Sequence, residues 1–153
     1  MFDKPQVMIV MAIALVAGAF AGCGGSSPAA ALKDPGVRGV DALRQAVRAA
    51  LLNHDARSQC ELFAPSLIEA HGGSTDTCAA WLHTESGPYK RNPKMYLGGG
   101  HIEIVGNQAS YELPPYSFPA EEAPSSGLGI PEPLTVFTAS YTEGQWRIVE
   151  NDE

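Results

Sequence analysis

Positive charge is in short supply: the 153 residues carry 10 Lys plus Arg against 17 Asp plus Glu, a formal net charge of −7. A nucleic-acid binder needs a basic surface to neutralise phosphates, and this chain has none. Nor is there a block of Lys and Arg that would hold anionic lipid by charge alone. Cysteines number only three, and the CxxC, HxxxH and HExxH spacings of metal sites are all missing. No GxSxG elbow is present to carry an esterase-type serine. Glycines 98–100 are followed by a strand-like segment without lysine, whereas a phosphate cradle needs amides at a helix N-terminus. The length suits one domain.

What is present begins with an address. Val7–Phe20 is a run of 14 residues without a charge, short of the ~20 apolar residues that a spanning helix needs and right for the hydrophobic region of a signal peptide. It leads into Phe20-Ala21-Gly22-Cys23, then Gly24-Gly25-Ser26-Ser27-Pro28. These residues resemble the lipobox of bacterial lipoproteins and the tether that follows it, although Phe20 stands where leucine is usual. The resemblance implies cleavage after Gly22 and a diacylglyceryl group on Cys23. Two or more acyl chains anchor stably where one does not, so the mature protein is expected on the extracytoplasmic side of the cell membrane. The expected organisation is a signal peptide at 1–22, the lipidated cysteine and a flexible tether at 23–38, and one domain at 39–153.

With Cys23 committed to lipid, Cys60 and Cys78 remain as an even pair in an oxidising compartment, where a disulfide is the default. A metal would have to recruit His54, His71 or His83, whose spacings fit no metal motif, so no metal and no cofactor are expected.

Within the domain, Val40, Leu43, Val47 and Leu51 repeat at helical spacing, with Arg44 and Arg48 assigned to the outer face. Asn53-His54-Asp55 breaks that helix, and Asp55 caps a second one through Cys60 and Phe63. Pro65 ends or kinks it, a further turn or two closes at Gly72-Gly73, and Ser74 or Thr75 opens a third helix carrying Cys78 and Trp81. The period then changes to two. His101–Val105 and Ala109–Leu113 flank a Gly106-Asn107 turn, which predicts pairs Ile104 with Ala109, Ile102 with Tyr111 and His101 with Glu112. Six prolines make 114–133 a long irregular loop. Leu134–Thr142 and Trp146–Val149 complete an antiparallel meander. The fold class is α+β, with three N-terminal helices on one face of a four-stranded sheet.

The order of elements, the hairpin IEIVGNQASYEL and the ending TASYTEGQWRIVE resemble the nuclear transport factor two-like superfamily, also called SnoaL-like or ketosteroid-isomerase-like. The resemblance covers about Val40 to Glu150 and implies a cone, with a curved sheet wrapped around the helices. It implies fold far more than activity, because the scaffold hosts enzymes and binding modules alike. An enzyme of this type would draw acid and base groups from the pocket-facing set, such as Tyr111 or Tyr141.

The one polar constellation is His101 with Glu112, and Glu103 and Ser110 beside them. A carboxylate next to a histidine favours imidazolium and orients it for proton transfer. This face is opposite the apolar one, however, so a solvated cross-strand pair is the simpler expectation. The sequence therefore points to a non-catalytic binding module. Its expected partners are the membrane through its anchor, an envelope protein or small hydrophobic ligand, and a second copy through the sheet.

Overall fold

The computed structural model describes residues 27–84, 92–114 and 133–150. Cys23 and nearly all of the 114–133 loop lie outside these residues. No helix among them is long and apolar enough to cross a membrane.

The chain opens with a single helical turn, α1 (Pro28–Ala31), and continues to the long α2 (Val37–Leu52). Segment 28–34, expected as flexible tether, is fastened to the far end of the domain. The Trp146 amide donates to the Leu32 carbonyl at 3.2 Å, the Tyr141 hydroxyl to Lys33 O at 2.7 Å, and the Trp146 indole N–H to Asp34 O at 2.9 Å. Gly39 makes this approach possible: a Cβ there would fall 1.9 Å from the Asp34 oxygen and 2.7 Å from Trp146 Cδ1.

Val40, Leu43 and Val47 of α2 are fully buried, as their spacing predicts. The helix ends where His54 takes the left-handed conformation (φ 53°) and the Asp55 amide reaches back to Ala50 O at 2.9 Å, a Schellman closure. Asp55 then caps α3 (Ala56–Cys60), accepting from the Ser58 amide at 2.9 Å. Where the sequence predicts three helices and a further turn or two, the described residues hold five helices, one of them the single turn α1. α3 stops at Cys60, short of the expected Phe63, and Pro65 occupies the first turn of α4 (Pro65–Ala70), where its missing N–H costs nothing. Ser74 opens α5 (Thr75–Thr84), accepting from the Thr77 amide at 3.2 Å. The Cys60–Cys78 bond (2.06 Å) ties α3 to α5, and the exposed Arg57–Asp76 ion pair joins the same two helices.

After a 3₁₀ turn at Pro93–Tyr96 come β1 (His101–Val105), β2 (Gln108–Leu113), β3 (Leu134–Thr142) and β4 (Gln145–Glu150), in sheet order β1-β2-β3-β4. All neighbours are antiparallel, and the first hairpin has the expected register: Ile104 opposite Ala109, Ile102 opposite Tyr111, His101 opposite Glu112. Ala109, Tyr111, Phe137, Ala139, Trp146 and Ile148 turn one face of the sheet inward. They form a single core with Val40, Leu43, Val47, Phe63 and the disulfide.

Candidate functional site

The sheet's outer face holds the polar residues singled out in the sequence. His101 faces Glu112 and Glu103 faces Ser110 across the β1–β2 ladder, with His101 and Glu103 exposed and Glu112 half-buried. Among the described residues no ion pair joins His101 to Glu112. A shallow cleft of about 290 Å³ runs over this face, lined by Glu103, Gln108, Ser110, Thr138 and Val149. The arrangement is an open, mixed-polarity surface suited to contact.

Arg44 is not on the outer face of its helix. It is buried, pairs with Asp41 through Nη2 at 2.7 Å and through Nε at 2.8 Å, and donates through Nη1 to the Tyr96 carbonyl. Its guanidinium carbon lies 5.9 Å from the centre of the Tyr111 ring, within cation–π reach. Arg48 is half-buried, and its Nε is enclosed without a hydrogen-bond partner among the described residues. Tyr111 is itself fully buried, and among the described residues its hydroxyl has no hydrogen-bond partner. Burial pushes the Tyr111 phenol up, and the Arg44 charge with the nearby amides of Gly100 and Gly98 opposes that push without cancelling it. The hydroxyl therefore stays protonated at neutral pH, a neutral donor inside an aromatic cluster with Phe137 (ring centres 5.6 Å apart). Tyr141, the other phenol expected to face a pocket, instead bonds Lys33 O at the sheet's end and packs edge-on against Trp146.

A second cleft, about 350 Å³, lies where α2 ends against α3 and α5. Leu51, Leu52 and Leu82 make it apolar, and His54, Asp55, Gln59 and His83 supply polar groups. No sequence motif announced it, because its residues come from three separated helices. Asp55 is already engaged: the Ser58 hydroxyl and amide bind its carboxylate and hold it below the usual carboxylate range. Among the described residues, no group of three or more His, Cys, Asp or Glu converges as a metal site would require.

No family model, no curated protein and no solved structure matches this chain.

Proposed function

We propose that the chain is a membrane-anchored, extracytoplasmic lipoprotein whose α+β domain is a non-catalytic binding module of the cone-shaped, nuclear transport factor two-like kind. The sequence Phe20-Ala21-Gly22-Cys23, placed after the uncharged run, carries this reading. The Cys60–Cys78 disulfide supports it, since such bonds persist in oxidising compartments. The packed interior supports the non-catalytic half: Trp146, Tyr111, Phe63 and Phe137 are fully buried in the layer where a ketosteroid-isomerase-like enzyme would keep its pocket. The partner is an envelope protein or a small hydrophobic ligand, met by the outer sheet face or the 114–133 loop. Replacing Cys23 by Ser tests the anchor. Fatty-acid labelling should vanish and the protein should leave the detergent phase; unchanged partitioning would sink the proposal.

One observation favours an enzyme instead, the buried Tyr111 hydroxyl, which lies beside the Arg44 charge and has no partner among the described residues. That reading requires turnover of a model ketosteroid that disappears in Tyr111→Phe while the fold is retained.

A further inference from the structure

The two edges of the sheet are finished differently. Along β4, the Ile148 amide donates to Leu62 O at 2.9 Å and the Ala64 amide donates to Ile148 O at 2.7 Å. Arg147 adds bonds to the carbonyls of Glu61 at 3.1 Å and Phe63 at 3.4 Å. That edge is closed by segment 61–64. Among the described residues β1, by contrast, pairs with β2 alone. The Gly106-Asn107 loop makes Val105 and Gln108 the closing pair, so Val105, Glu103 and His101 direct their backbone groups at β2. Ile102 and Ile104 direct theirs outward, and among the described residues no partner meets them. Monomeric proteins guard such an edge with proline, lysine, a bulge or a covering segment. The described part of β1 has none of these, only its five-residue length and the charge of Glu103, and Val105 at its end is 70% exposed.

We infer that β1 pairs antiparallel with β1 of a second copy about a two-fold axis, joining two four-stranded sheets into one. Three symmetric registers would use the outward groups of Ile102 and Ile104. The first sets Glu103 opposite Glu103 of the second copy, which like charges disfavour. The second, centred on Ile104, sets Glu103 opposite Val105 and leaves the charge unanswered. The third, centred on Ile102, sets His101 opposite Glu103 of the second copy, and by symmetry does so twice. Both side chains are exposed on the face away from the helices. Charge complementarity selects this register, so His101, which faces Glu112 within its own sheet, meets Glu103 of the second copy across the new seam. The inference rests on the binding-module reading and adds to it a second copy, met edge to edge and leaving the outer sheet face open. Anchoring both copies in one bilayer would raise their effective concentration and compensate for a strand of only five residues.

The test is directed disulfide formation in the full chain, in membranes and after detergent extraction. Facing residues of a non-hydrogen-bonded pair have Cα atoms about 4.5 Å apart, within disulfide range. The double variant His101→Cys with Glu103→Cys should form an interchain bond linking position 101 to position 103 at least tenfold more than either single variant. A charge test keeps the side chains polar: Glu103→Lys should weaken the dimer, and adding His101→Glu should restore it. The inference falls if the double variant stays monomeric while retaining the Cys60–Cys78 bond and a cooperative unfolding transition. It falls equally if Glu103→Cys alone dimerises as well, or if a different protein is captured at β1. Because the detergent-extracted chain reports pairing without a bilayer, failure of the anchor and failure of this contact are read separately.

Discussion

The guanidinium carbon of Arg44 sits 5.9 Å from the centre of the Tyr111 ring, and its nitrogens are shared between Asp41 and the Tyr96 carbonyl. One side chain thus joins α2, the turn before β1, and the inner face of β2. Removing it leaves the buried Tyr96 carbonyl without its donor and leaves the half-exposed Asp41 carboxylate to Gln45 alone. Arg44→Ala should cost about 2–4 kcal/mol of stability in urea unfolding, the range for breaking one side of a buried charged contact. Arg44→Lys should recover less than half, because a single ammonium cannot reproduce the fork.

Gly39→Ala inverts the ordinary helix rule. Alanine normally stabilises a helix interior by about 1 kcal/mol over glycine. Here the added methyl meets the Asp34 carbonyl and the Trp146 ring, so overpacking should make the net effect a loss of about 1–3 kcal/mol. The melting midpoint should fall, and Trp146 fluorescence should change with it.

Opening the Cys60–Cys78 bond, by reduction or by Cys60→Ser with Cys78→Ser, releases a link between residues 18 apart. On the chain-entropy account the loss is about 3 kcal/mol. The Arg57–Asp76 pair across the same helices is exposed on both sides, so Asp76→Asn should change stability by less than about 1 kcal/mol.

Asp55 gives a pH signature. Its carboxyl is held below its ordinary value of 3.8 by Ser58, so its contribution is fully present above that value. It is lost as the pH falls through the depressed folded value. Between pH 7 and pH 2, the advantage of the wild type over Asp55→Ala in urea midpoint should therefore shrink toward zero. An advantage that stays constant into acid would show that the hydrogen bonds to Ser58 do not depend on the charge.

Some of this fold was readable residue by residue. The pairing of Ile102 with Tyr111 and of His101 with Glu112 follows from the Gly106-Asn107 loop, because a two-residue turn leaves one register. Asp55 was readable as a cap for the same local reason. Arg44 was misplaced by its charge rather than by its position. It lies four residues after Val40 and three before Val47, on the apolar stripe itself, and the 3.6-residue period alone puts it inside. The turn or two expected before Gly72-Gly73 is α4, and what the sequence hides is that Pro65 begins it, five residues after α3 has ended. The docking of 28–34 left no trace at all, since three backbone carbonyls do the bonding and carbonyls have no side-chain signature. The α2–α3–α5 cleft is similarly silent, because His54 and His83 meet only through tertiary packing.

The bond from Trp146 to Asp34 spans 112 positions of the chain, and that separation sets an order of events. A ribosome delivers Asp34 long before Trp146. Until β3 and β4 have paired, the segment ahead of α2 can touch only α2, with none of its three bonds to the sheet. Closing so long a loop is repaid only at the end. The stretch around 28–34 is therefore the last piece to settle during synthesis, and the first that a partial unfolding would release.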